Sequence, residues 1–198
     1  LAERIEWLRK NGLIDVKAGS QFCHVETKSF LVHSCIPEWR FKKLGKLGRD
    51  KAAHVYAGRL QEAADDFEKI IGGTPKKPQH AYLLWNAQQM MRATKAIGGT
   101  ASKDGFRTVR ADGTHWFFHP SYEALYHDQG QHSHMVHHAI HSMVASVHGV
   151  SMNVPAWLDY GLAHWFERRK FKGKKDCTTC CGALINPKSP WASCKVWK

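Results

Sequence analysis

No apolar run in this 198-residue sequence approaches 18 residues, so no helical transmembrane segment is expected. There are no internal repeats. No Cys-x-x-Cys-His occurs, which excludes covalently attached c-type haem, and neither haem nor nucleotide is expected as a cofactor. Acids are scarce: 17 Asp and Glu stand against 29 Lys and Arg, giving a net charge of +12. Such an excess suggests an anionic polymer or surface as partner, but net charge alone does not support nucleic-acid binding. Cysteine is missing from the middle of the chain; the six sit at Cys23, Cys35, Cys177, Cys180, Cys181 and Cys194. An even number gathered at the two ends reads as disulfides in an extracytoplasmic or secreted protein, with Cys23 bonded to Cys35 or to a tail cysteine. An opening on Leu1 rather than Met fits either a removed leader or a trimmed numbering. The competing zinc knuckle has Cys177-x2-Cys180 but no second Cys-x-x-Cys. Cys23-His24 and His33-x-Cys35 would have to complete it, and strand alternation points neighbours to opposite faces.

What remains is ample for a packed core: 43% apolar residues, eight Trp and nine Phe. Residues 2–11 carry Ile5 and Leu8 at helical spacing before Gly12. Phe22 to Cys35 reads as strand material, and Arg40 to Lys51 as a basic, solvated turn. Ala53, Tyr56, Leu60, Ala63, Ala64, Phe67 and Ile71 predict a long amphipathic helix over about 50–71, stopped by Gly72-Gly73. His80 to Trp85 reads as a buried strand and 86–97 as a helix. Asp112-Gly113 marks a hairpin between 106–111 and 114–119. A short helical turn is expected at 122–126.

The densest chemistry lies from His134 to Glu167. His137 and His141 are four apart, so on a helix they stack one turn above the other and can face one metal ion. His134, His137, His138 and His141 share a roughly 100° arc, while Met135, Ile140, Met143, Val144 and Val147 fill the rest. Eighteen residues separate His141 from Tyr160, and His164 follows one turn later.

This layout resembles the gluzincin metallopeptidases, and within them the peptidase-MA-like branch, whose signature is HExxH, 18 residues, then Glu in a WL-x-E-GLA-E-x-F-E stretch. The sequence keeps His137, His141, Pro155, Trp157, Leu158, Gly161, Leu162, Ala163, Phe166 and Glu167. It departs where His138, Tyr160 and His164 stand in place of three glutamates. The resemblance implies an α+β, zincin-like domain with a small mixed sheet, an active-site helix and a second ligand-bearing helix. The hairpin then falls where the family's cleft-lining edge strand lies, a strand that pairs with extended peptide, so the resemblance implies a peptide as partner. In the family the first of those glutamates takes a proton from the zinc-bound water and returns it to the leaving amine. His138 can accept a proton from a reference pKa of about 6.5, or can itself become a ligand; Tyr160 binds only as phenolate, from about 10. His137, His141 and His164 would make a three-imidazole site, which suits zinc, or copper or nickel, over calcium or magnesium.

The expected organisation is a helical extension over 1–21, a zincin-like domain over 22–170 and a basic, Cys-rich tail over 171–198. Three functions compete. One is a degenerate, non-peptidase metallopeptidase homologue (a pseudoenzyme) that still binds metal. Another is an active metal-dependent hydrolase with His137, His141 and Tyr160 or His164 as ligands and His138 as base. The third is a histidine-rich metal-handling protein, drawing on His127, His132, His134 and His148.

Overall fold

The computed structural model describes residues 3, 6, 9, 10, 22–41, 43–84, 115–118, 128–148 and 154–171; for 115–118, 129–131, 134 and 156 it describes backbone alone. Among these the fold mixes α and β, with two small sheets and three long helices. The strands are β1 (Cys23–Glu26), β2 (Phe30–Ser34), β3 (Glu38–Phe41), β4 (Gly45–Gly48), β5 (Gln79–Leu83) and β6 (His115–Phe118). The helices are α1 (Arg49–Ile70), α2 (Asp128–His148) and α3 (Ala156–Lys170). The larger sheet has the order β1-β2-β5-β6, antiparallel between β1 and β2 and parallel thereafter.

Alternation along β2 and β5 sends Phe30, Val32 and Ser34 to one face, level with Gln79, Ala81 and Leu83, and all six are buried. Helix α1 covers this sheet, α2 lies against α1, and α3 against α2. The buried stripe of α1 is Ala52, Ala53, Tyr56, Ala57, Leu60, Ala63, Ala64 and Phe67. Its five alanines bring little side-chain bulk to that surface. Arg59 of α1 forks onto both carboxylate oxygens of Asp128 in the first turn of α2, and its guanidinium lies over the rings of Phe41 and Tyr56. Gly72 and Gly73 end α1 at φ 87° and 86°, a region open to glycine.

Two segments differ from the sequence expectation. The stretch 22–35 is a hairpin rather than one strand, because the Thr27 hydroxyl donates to the Phe30 carbonyl at 3.1 Å and the Phe30 N–H donates back to it at 3.0 Å. The basic stretch 40–51 is not a turn: β3 and β4 pair across it, turning where Gly45 sits at φ 73°. The 50–71 helix and the 80–85 strand appear as α1 and β5, within two residues of the expected ends. Most of the helix expected over 2–11, the 86–97 helix, the 106–111 arm of the hairpin, the turn at 122–126 and the tail beyond 171 lie outside the described residues.

Candidate metal centre

The site lies where α2 and α3 meet. His137, His138 and His141 are all buried on α2, and α3 brings His164 and Glu167 against them. The rings of His137 and His141 are 4.7 Å apart, those of His137 and His138 4.9 Å, and those of His137 and His164 4.6 Å. Two sets of three donors, His137–His138–His141 and His137–His164–Glu167, each gather ligand atoms within 4.8 Å of one another. The buried cluster can therefore hold a metal ion.

Proton placement follows from the carboxylates. Asp159 puts Oδ1 at 2.8 Å from Nδ1 of His141, and Glu167 puts Oε2 at 3.3 Å from Nδ1 of His137. Neither contact is aligned as a straight hydrogen bond. A lone pair facing a carboxylate would nonetheless be repelled, so a ring that carries a single proton holds it on Nδ1. The two Nε2 atoms face one another 3.1 Å apart, within hydrogen-bond distance if one of them carries a proton. Two lone pairs at that distance repel unless a cation lies between them. Around an ion with bonds of ~2.0–2.1 Å at tetrahedral angles, two nitrogens stand about 3.3–3.4 Å apart. Carboxylates on the far nitrogens are the arrangement that orients metal-binding imidazoles.

Burial lowers the His137 pKa to about 4, an effect that Glu167 offsets in part and that His141 and His164 reinforce. At neutral pH the ring is thus free of the proton that would compete with a metal. Burial by itself would push the Glu167 carboxyl up. Its contacts with His137 and His164 and the bond donated by the Ser133 hydroxyl outweigh that and hold it far below the usual carboxylate range.

Of the residues expected from sequence, His137, His138, His141 and His164 come together. Tyr160 sits at the rim, half exposed, with its ring edge-on to His141 at 5.0 Å. His132 packs on Phe171, His148 is exposed at the end of α2, and the His134 side chain and His127 lie outside the described set. Sequence reasoning gave no role to Asp159, Glu167 or Ser133. One signal was available: Asp159 and Glu167 are the only acids between Gln129 and Lys170, and imidazole ligands need carboxylates behind them.

The expected Cys23–Cys35 bond is absent, and both residues stand as thiols. Cys23 is level with Ser34, so Cys35, one residue on, belongs to the opposite side of the pleat. The Cys35 thiol lies 3.6 Å from the Leu83 carbonyl, as its donor. The four tail cysteines are outside the described residues. His24 and His33, weighed as knuckle ligands, instead join a ladder across the sheet. Nδ1 of His24 is 2.7 Å from Nδ1 of His33, and Nε2 of His33 is 2.9 Å from Nδ1 of His80. Each nitrogen of His33 thus serves a different neighbour, so the three rings form a chain and do not converge on one point. Comparisons with protein-family models, with curated proteins and with solved structures each returned no match to the chain.

Proposed function

We propose that this chain is a metal-binding, gluzincin-like protein of zincin-like fold that has given up peptidase chemistry. The observation that carries the reading is the close approach of Nε2 of His137 and Nε2 of His141, 3.1 Å apart, with a carboxylate facing Nδ1 of each ring. An all-imidazole face with His138 in reach favours zinc, with copper or nickel as the other candidates. A bound ion of this kind supplies Lewis acidity. The general base is what is missing. Asp159 and Glu167 face the Nδ1 edges, away from the space between the two Nε2 atoms, and position 138 carries imidazole. General base catalysis is typically worth ~10²–10⁴-fold, so peptide hydrolysis is expected at the level of a gluzincin stripped of its glutamate.

Elemental analysis of the purified chain tests the reading. It should find at least one tightly held equivalent, which His141→Ala removes and His148→Ala leaves. No retained metal in a folded protein would refute metal binding, and several loose equivalents indifferent to His141→Ala would favour metal handling. Zinc-dependent peptide hydrolysis lost on His138→Ala would establish a working enzyme instead. His138→Glu alone should not create activity; the informative variant is His138→Glu with Tyr160→Glu.

A further inference from the structure

The two donor sets have one residue in common, and it is the most central. His137 is 2% exposed and belongs to both His137–His138–His141 and His137–His164–Glu167. Its two nitrogens lie on opposite edges of the ring. Nε2 faces Nε2 of His141 at 3.1 Å, and Nδ1 faces Oε2 of Glu167 at 3.3 Å. The same oxygen of Glu167 lies 3.7 Å from Nδ1 of His164. We propose that the centre binds two divalent ions bridged by the His137 ring, one at Nε2 with His141 and His138, the other at Nδ1 with Glu167 and His164. This rests on the metal-binding reading of the site.

Three observations carry it. Nδ1 of His137 is buried, and its facing acceptor, Oε2 of Glu167, stands off at 3.3 Å without hydrogen-bond alignment. The contacts from Glu167 to the two Nδ1 atoms are longer than good charge-assisted bonds of about 2.7–2.9 Å; the one to His137, at 3.3 Å, matches the donor-to-donor separation around a tetrahedral ion, and the one to His164, at 3.7 Å, is a few tenths of an ångström wider. Charge also balances closely. Two divalent ions bring four positive charges, and Glu167, Asp159 and the bridging ring, as imidazolate, oppose three of them. The second ion displaces the Nδ1 proton of His137 to solvent, and no electron is exchanged. Half-exposed His164 gives that ion a route in, whereas the first position lies among rings that are nearly all buried. Imidazole and carboxylate together suit zinc or copper(II).

The full chain, stripped with chelator and reloaded, should take up two tight equivalents of zinc. His164→Ala and Glu167→Gln should each reduce this to one, and His137→Ala should abolish both. Loaded with copper(II), the two-ion form should show a coupled, weakened electron paramagnetic signal per copper, and the His164→Ala form the full signal of an isolated ion. A single equivalent unaffected by His164→Ala would overturn the second position while leaving the metal-binding reading intact. Two equivalents that both survive His164→Ala, or two copper ions that do not couple, would overturn the bridge. Zero equivalents would remove the underlying reading as well. Should Glu167→Gln fail to fold, His164→Ala decides, because that side chain is 37% exposed.

Discussion

Replacing Asp159 by Asn isolates the part of the design that the motif does not contain. The carboxylate sits 2.8 Å from Nδ1 of His141, on the edge of the ring away from Nε2. Across an imidazole and one coordination bond, that places it roughly 6–7 Å from an ion at Nε2, where a unit charge and a divalent ion interact by about 5 kcal/mol at an effective dielectric constant near 20. The side chain is 23% exposed, so solvent and salt cut this substantially. What remains should resemble the usual loss for removing a carboxylate behind a ligand, about 10–100-fold in metal affinity. That corresponds to about 1.4–2.8 kcal/mol. Asn can still accept the Nδ1 proton, so the metal-free protein should lose less than about 1 kcal/mol of stability. Chelator competition measures the affinity and denaturant unfolding of the stripped protein measures the stability. In a His141→Ala background Asp159→Asn should have no further effect on metal, because the ring it serves is gone. Unchanged affinity in the single variant, or an equal loss in both backgrounds, would refute the assignment of Asp159 to His141.

Acid should unfold the metal-free protein early. Burial, with Arg59 and Lys170 adding to it, lowers His132 to about 3, and burial lowers His137 to about 4, against ordinary values of 6.5. A base whose folded pKa is depressed stabilises the fold above its unfolded pKa and loses that contribution as pH falls below it. Between pH 7.5 and 5 each should give up about 2 kcal/mol, roughly 4 together, and stability flat over that window would contradict their burial as neutral rings. Glu167, depressed below the carboxylate range, acts only below about pH 4.5 but with the same sign. Arg59→Ala takes the forked guanidinium from a buried Asp128 and should cost up to ~3–5 kcal/mol in denaturant unfolding, whereas a loss under about 1 would mean the pair is idle. Gly73→Ala should destabilise more than Gly72→Ala. Both need positive φ, at roughly 1–3 kcal/mol each, but only at 73 would the new methyl meet Val147, at 2.3 Å from its Cγ1. Equal melting temperatures for the two variants would count against that packing.

Local signals in the chain anticipated local structure well. The apolar spacing of 50–71 and the glycine pair after it specify α1, and the i, i+4 histidines place an imidazole face on α2. The turn at Thr27 escaped notice because it depends on one hydroxyl bonding its own strand, with no glycine or proline to mark it. The β3–β4 pair escaped because a run of Lys and Arg masks a hairpin whose main signature is Gly45. At the site, the histidines that could hold an ion were legible from spacing, while the carboxylates that face them were not. Asp159 and Glu167 act through contacts across a helix pair, which no periodicity along one helix encodes.

Gln79 and Ser142 fix where along its axis α2 can sit. The Gln79 amide donates to the Ser142 carbonyl at 3.1 Å, the Ser142 hydroxyl donates to the Gln79 side-chain oxygen, and both residues are buried. The apolar surfaces around them would tolerate a slide of one turn, about 5.4 Å, with similar area covered. The polar pair would not, since any shift parts the Gln79 amide and the Ser142 hydroxyl from these partners away from water. Ser142 follows His141 directly, so a key that sets the helix against the sheet also sets the height of the imidazoles against α3. An apolar replacement at both positions would leave the protein as stable and the histidines as buried, yet free to slip past the carboxylates that aim them.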